Sequence, residues 1–199
     1  MKIWTLAAAG FAVSWLSISG TTFAGQQDRV LIAADAPEVA DFSLTDEEGE
    51  MLRLSSLRGR SALVFFGFTH CPGVCPATMF KLRLLSESLD QGARAKPLVL
   101  FVSVDGNRDT ASVMKAYLES YPDNFVGLTG DPKAVRTIAA GFKAVFFKGL
   151  PSDSSGDYLV EHTTQVYLVD ERGRLRATFF DAPVEIMAKV TRDLSAGPT

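Results

Sequence analysis

The chain has 199 residues, 47% of them hydrophobic, and a formal net charge of −3. This length suits one domain with a substantial core. No basic run or basic patch stands out among the 20 lysine and arginine residues, so nucleic acid is excluded as an expected partner. We expect a single folded domain over residues 41–196.

The first 24 residues form a segment distinct from the rest of the chain. Met1-Lys2 is a short positive start, residues 3–23 carry no charge, and residues 22–24 end as a signal-peptidase site does. This pattern predicts an export signal, although 21 uncharged residues are also long enough to anchor a protein in a bilayer. Either way we expect the domain outside the cytoplasm, in the periplasm or at the periplasmic face of the inner membrane. Residues 25–40 are predicted to be a tether.

The first half of the domain alternates strand and helix patterns. A hairpin is predicted for residues 42–45 and 51–54, which flank an acidic turn. Residues 62–68 and 97–104 are continuously apolar, as expected for strands buried on both faces. Pro76 suits the first turn of a helix. Helices are predicted from about residue 76 to 89 and over 109–120, 131–140 and 183–194, with a short strand at 125–128.

The second half of the domain has a β-meander pattern. Strands are predicted at 143–148, 158–160, 164–169 and 175–179, with a polar loop at 149–157 and a turn at 171–173. The order βαβαβα, then a meander and a helix, predicts a mixed sheet with helices on both faces. In such sheets the functional site lies beyond the carboxyl ends of the central strands. The two cysteines fall there.

The only cysteines, Cys71 and Cys75, lie in residues 71–76 (CPGVCP). A disulfide that closes five residues contributes about 2 kcal/mol, against about 4.7 kcal/mol for a 100-residue loop, so a purely structural role is disfavoured. Side chains four residues apart on a helix can form a disulfide after modest rearrangement, or bind one metal ion. If Cys75 begins a helix, the free N–H groups and the helix dipole are predicted to lower its thiol pKa.

A metal held by two thiolates needs a further ligand, and the chain has only two histidines. His70 adjoins Cys71, so its side chain is expected to point away from that of its neighbour. His162 lies on a predicted strand in the second half. The set of Cys71, Cys75 and His162 suits copper, since Cu(I) is satisfied by three ligands, while zinc with an added water stays open. Met79 is expected in the core rather than on a metal.

At these positions the sequence resembles the SCO/SenC family of copper-binding proteins. One motif is residues 65–76 (FFGFTHCPGVCP), and the other is residues 157–163 (DYLVEHT), followed by VYLVD at 166–170. The resemblance covers about residues 42–194. Two positions depart from the family, since Gly73 and Glu161 stand where the family usually has Asp, and the loss at 73 removes a charge beside the metal.

The resemblance implies a thioredoxin-like fold with a site for Cu(I) or Cu(II) at Cys71, Cys75 and His162. It also implies a role in assembling the CuA centre of cytochrome c oxidase, by delivering copper, by reducing target cysteines with the Cys71–Cys75 redox pair, or both. The implied partner is the CuA-bearing subunit of the oxidase, with other copper carriers or thiol reductants alongside. The protein would then be a metallochaperone with thiol-disulfide reductase activity, and membrane-associated if the N-terminal segment is retained.

Two alternatives stay open at the level of the sequence. In a metal-free extracytoplasmic thiol-disulfide oxidoreductase, Cys71 would attack and Cys75 would resolve, and no histidine would be needed. A redox or copper sensor, or a peroxide-type reductase, could use the same fold. Dependence of the activity on His162 distinguishes the copper site from the metal-free enzyme.

Overall fold

The computed structural model of the protein describes residues 29–89, 96–151 and 158–195. The strands are β1 (Val30–Ile32), β2 (Ser43–Asp46), β3 (Met51–Arg53), β4 (Ala62–Gly67), β5 (Leu98–Ser103), β6 (Phe125–Thr129), β7 (Phe146–Pro151), β8 (Tyr158–His162), β9 (Val166–Val169) and β10 (Leu175–Phe179). The helices are α1 (Val74–Ser88), α2 (Ala111–Leu118), α3 (Pro132–Gly141) and α4 (Val184–Leu194), and a short 3-10 helix covers Leu54–Leu57.

Eight strands form one mixed sheet in the order β1-β10-β9-β4-β5-β6-β2-β3. The strand β4 pairs in parallel with β5 and antiparallel with β9, and β5 pairs in parallel with β6. Every residue of β4 and β5 is buried, which explains why their sequences are continuously apolar. The predicted mixed sheet and its opening hairpin, β2 and β3, are confirmed.

Helices cover both faces of the main sheet. Phe65 and Phe66 point to opposite faces because successive strand residues alternate. The Phe65 ring stacks on Phe101, which stacks in turn on Tyr117 of α2, with centroids 6.0 and 5.3 Å apart. The Phe66 ring contacts Phe142, directly after α3, at 5.5 Å. The helices α2 and α3 therefore lie on opposite faces.

The predicted meander is divided between two sheets. The strands β9 and β10 join the main sheet, whereas β7 and β8 pair only with each other among the described strands. We call this pair the β7–β8 ribbon (residues 146–151 and 158–162). Its register places Phe146 opposite His162. The predicted histidine ligand therefore lies on a separate two-stranded unit.

The strand β7 begins three residues later than predicted. Lys143 has φ +59°, and the Ala144 N–H donates to the Ala139 carbonyl at 2.9 Å, so residues 143–145 close the end of α3. The loop predicted at 149–157 also starts later, because β7 extends through Pro151. Residues 152–157 lie outside the described residues.

The folded domain begins inside the range predicted as a tether. Residues 30–32 form the edge strand β1 along β10, and the side chains of Val30 and Val39 pack against the core. The predicted signal or anchor, residues 1–24, and the start of the tether lie outside the described residues. In the described part of the chain, no helix has the length and apolar character needed to cross a membrane.

Candidate metal centre

The loop between β4 and α1 carries both cysteines to the carboxyl end of the central strand. The Cys71 N–H donates to the Phe68 carbonyl at 3.3 Å, which closes a turn directly after β4. The helix α1 begins at Val74, two residues before the predicted start, so Cys75 is its second residue. The Cys75 N–H donates to the Cys71 sulfur at 3.4 Å. This N–H group lies in the first turn of the helix and has no partner within the helix, so it is available to the Cys71 sulfur.

His162 reaches the same place from the end of β8. Its Nε2 atom lies 3.4 Å from the Cys75 sulfur, although the two residues are 87 positions apart. The rings of Phe65 and Phe68 pack edge-on against the imidazole, at 6.1 and 5.8 Å. The Nδ1 atom lies 2.9 Å from the Thr163 carbonyl, which can only accept. Nδ1 therefore carries the ring proton, and Nε2 presents its lone pair to the sulfurs.

The structure brings together the three ligands predicted from the sequence. The sulfurs of Cys71 and Cys75 and a ring nitrogen of His162 all lie within 4.8 Å of one another. Both cysteines are free thiols, 8% and 0% exposed. Two thiolates and one imidazole fit a soft metal such as copper, and Zn²⁺ accepts the same donors. The donor set therefore fits the metal that the resemblance implies.

Burial controls the protonation of Cys75 and His162. Burial raises the pKa of the Cys75 thiol well above its ordinary range, and burial lowers the pKa of the His162 imidazole. The predicted lowering of the Cys75 pKa is wrong for the metal-free protein, because desolvation of the thiolate outweighs the helix terminus. The metal-free site therefore holds a neutral imidazole beside a protonated Cys75 thiol, and a bound metal must displace the thiol proton.

The other two candidate ligands lie outside the group. His70 is half exposed, and its Nδ1 lies 3.0 Å from the Thr69 hydroxyl and 3.5 Å from a carboxylate oxygen of Asp109. In the described residues, the cluster of metal-binding donors includes Cys71 and not His70, in line with the expectation from the sequence. Met79 is fully buried in the core, also as expected.

Three polar residues near the centre had no assigned role in the sequence analysis. The buried Asp109 accepts hydrogen bonds from the Thr69 N–H at 3.0 Å and the Thr69 hydroxyl at 2.6 Å. The buried Asp105 accepts one from the Tyr158 hydroxyl at 2.6 Å. Two features of the sequence could have indicated these residues. Both acids closely follow β5, and Tyr158 precedes His162 by four residues on the same face of a predicted strand.

The fold and the three-residue group together define a thioredoxin-like α/β protein with a site for a soft metal. The chain belongs to the SCO1/SenC family, whose family model matches residues 32–195. That match spans the whole main sheet except the start of β1, together with the ribbon and all four helices. The resemblance noted in the sequence is therefore confirmed.

Individual relatives agree with this assignment. The SCO2-like protein of Rickettsia felis is 33% identical over 149 residues, which is 74% of this chain and 72% of that protein. The copper-bound structure of Bradyrhizobium japonicum ScoI is 35% identical with a TM-score of 0.69, and the match covers 80% of this chain and 100% of that one. BsSco, described as a cytochrome c oxidase assembly protein with a disulfide switch, is 25% identical with a TM-score of 0.66, over 83% and 97% of the two chains.

Proposed function

We propose that this chain binds copper and acts in assembly of the CuA centre of cytochrome c oxidase, by delivering copper, by reducing target cysteines, or both. One observation carries the proposal: the Cys71 and Cys75 sulfurs and a His162 nitrogen lie within 4.8 Å of one another. Membership of the SCO1/SenC family supports it, as do the copper bound to ScoI and the assembly role described for BsSco.

Copper would be held by the sulfurs of Cys71 and Cys75 and by Nε2 of His162. Two thiolates suit Cu(I), and the added imidazole nitrogen supports Cu(II). The Thr163 carbonyl keeps the ring proton on Nδ1, so Nε2 is available as a ligand. The Phe68 ring packs against the imidazole and limits the access of water on that side. These residues provide a soft, half-enclosed site suited to a metal that must later be passed on.

The same thiols can also act as a redox pair. Cys71 is the more exposed of the two, so we assign it the attack on a partner's disulfide, and Cys75 then resolves the mixed disulfide. The two thiols give up two electrons and two protons, which convert one target disulfide into two thiols and leave a Cys71–Cys75 disulfide. That disulfide has no thiolate to offer a metal. Copper binding and target reduction therefore alternate rather than coincide.

We propose the CuA-bearing subunit of the oxidase as the partner, and the periplasm or the periplasmic face of the inner membrane as the location. The charge and hydropathy pattern of residues 1–24 supports export. If that segment is retained, the domain is tethered to the membrane. The N-terminal mass of the exported chain distinguishes cleavage after Ala24 from retention of the segment.

Titration of the reduced chain with Cu(I) and with Cu(II) tests the copper site. We expect one copper per chain, with a sulfur-to-copper charge-transfer band in the Cu(II) form. The Cys71→Ser, Cys75→Ser and His162→Ala variants should each lose that form. His70→Ala is the matched control, because it removes the half-exposed histidine outside the group. Unchanged copper binding in His162→Ala would contradict the three-ligand site.

A disulfide-bonded peptide with two cysteines separates the two proposed roles. If reduction is a role of this chain, the reduced wild-type protein should cleave the peptide disulfide and His162→Ala should still cleave it, because Cys71 makes the attack and no copper is needed. Such a result supports a thiol role that is independent of copper. A chain that neither binds copper nor reduces the peptide would refute the proposed function as a whole.

A further inference from the structure

The β7–β8 ribbon carries His162 yet pairs with no other strand in the described part of the chain. Side-chain contacts must therefore fix the ribbon over the cysteines. At the His162 end, the rings of Phe65 and Phe68 contact the imidazole. There too, the Arg136 guanidinium donates to the Phe146 carbonyl at 3.2 Å and lies over its ring. These contacts hold only one end of the ribbon.

Tyr158 holds the other end of the ribbon to the main domain. Its hydroxyl donates to the Asp105 carboxylate at 2.6 Å, and Asp105 is only 4% exposed. Arg108 forms an ion pair with the same carboxylate, and its guanidinium carbon lies 3.8 Å from the centre of the Tyr158 ring. The Lys148 ammonium lies 3.5 Å from that ring centre. A part-buried, charge-assisted hydrogen bond of this kind is strong and directional.

The turn that begins at Asp105 also holds the loop that carries the cysteines. The Asp109 N–H donates to the Asp105 carbonyl at 2.9 Å, so the two acids belong to one turn. Asp109 in turn accepts two hydrogen bonds from Thr69, two residues before Cys71. One turn, residues 105–109, therefore contacts both the strand that ends in His162 and the loop that supplies the sulfurs.

We propose that Tyr158 is a positioning residue for the metal centre, an inference that rests on the proposed copper site. Tyr158 and His162 project from the same face of β8, roughly 13 Å apart for four residues of extended chain. A strand fixed at both points cannot rotate about its axis or slide past the main sheet. The hydrogen bond to Asp105 therefore keeps Nε2 of His162 directed at the Cys75 sulfur, while Tyr158 itself does not touch the metal.

The Tyr158→Phe variant isolates the hydrogen bond, because it keeps the ring over which Arg108 and Lys148 lie. Loss of a group bonded directly to a metal ligand typically lowers metal affinity about 10- to 100-fold, so the lower end of that range is the most that a contact acting through the strand should cost. We expect Cu(II) affinity to fall about tenfold, since Cu(II) depends on the His162 nitrogen. Cu(I) affinity should change by less than about threefold, because soft thiolates dominate its binding. If the Cu(II) affinity falls tenfold relative to the Cu(I) affinity, the copper reduction potential becomes about 59 mV more positive.

A measurement on the metal-free chain tests the positioning without copper. The ring currents of Phe65 and Phe68 displace the NMR signals of the His162 ring C–H protons. In Tyr158→Phe these signals should move toward those of an unstructured histidine. Tyr121→Phe is the matched control, since this half-buried tyrosine packs against Phe125 at the start of β6, at the opposite end of the sheet. The control should leave the signals in place.

A comparison of the two copper states distinguishes positioning from general destabilisation. Tyr158→Phe should weaken Cu(II) binding about tenfold and Cu(I) binding by less than about threefold, because Cu(II) depends on the nitrogen that Tyr158 positions. Equal losses of Cu(II) and Cu(I) affinity, or unchanged His162 signals in Tyr158→Phe, would overturn the proposal. If the wild-type chain binds no copper but the signals still move, the positioning of His162 by Tyr158 is supported and the proposed copper function is refuted.

Discussion

Replacing Gly67 with alanine is expected to destabilise the protein and disturb the cysteine pair. Gly67 ends β4, and a Cβ atom built on it would lie 2.8 Å from the Cys75 sulfur, 2.8 Å from a ring carbon of Phe101 and 3.0 Å from one of Phe65. These groups are fully buried, so relieving the contact displaces packed atoms. Overpacking costs about 1–3 kcal/mol. The smaller entropy of unfolded alanine returns about 0.4–1 kcal/mol, which leaves a net loss of about 1–2 kcal/mol.

Urea unfolding of the reduced, metal-free protein measures this loss of stability as a lower midpoint with an unchanged slope. Copper affinity should also fall, because the Cys75 sulfur has to move. Gly141→Ala is the matched control: its φ is not positive, and a Cβ atom there meets nothing within 4 Å. The control should be as stable as wild type, or more stable by less than about 1 kcal/mol. A Gly67→Ala chain with wild-type stability and copper affinity would refute the packing described around Cys75.

Two further predictions concern ionisation and charge at the centre. Burial lowers the pKa of His162, so below about pH 6.5 the unfolded chain binds more protons than the folded chain. The free energy of unfolding should therefore fall as the pH drops through this range, and it should fall less in His162→Ala. Burial raises the pKa of Cys75, so the unfolded thiol ionises first, and stability should also fall above about pH 9.0, but less so in Cys75→Ser. Burial raises the pKa of Tyr117 as well, so part of the fall above about pH 10 should remain in that variant. Urea unfolding across pH tests both effects. Gly73→Asp adds a carboxylate where a Cβ atom meets nothing within 4 Å, and it should raise Cu(II) affinity about two- to fivefold at low salt. Competition titration against Gly73→Asn measures this gain, and equal affinities in the two variants would count against an electrostatic role for position 73.

The first half of the fold could be predicted because its signals are local. The apolar run at 62–68 corresponds to β4 within one residue, and the helix predicted from about residue 76 starts at Val74, so it includes Cys75. The second half depends on pairing over long distances. The strand β9 pairs with β4 from about a hundred residues away, whereas β7 and β8 leave the main sheet, and a period-two pattern predicts strands but not their partners.

The ligands of the candidate site could be chosen from residue types alone, because only two cysteines and two histidines were available. The direction of the Cys75 pKa shift could not be predicted, because it depends on how completely the folded chain removes water from the sulfur. The contact between Tyr158 and Asp105 joins residues 53 positions apart. Each residue has an ordinary polar side chain, and only the fold makes them partners.

The spacing of the ligands along the chain has a consequence for biosynthesis. Both sulfurs leave the ribosome well before the nitrogen, since His162 follows Cys75 by 87 residues. At about 5–20 residues per second, synthesis of that stretch takes roughly 4–17 s. During this interval the nascent chain displays two thiols without their imidazole and without the ribbon that later covers them. The two thiols must therefore stay reduced until His162 and the ribbon complete the centre.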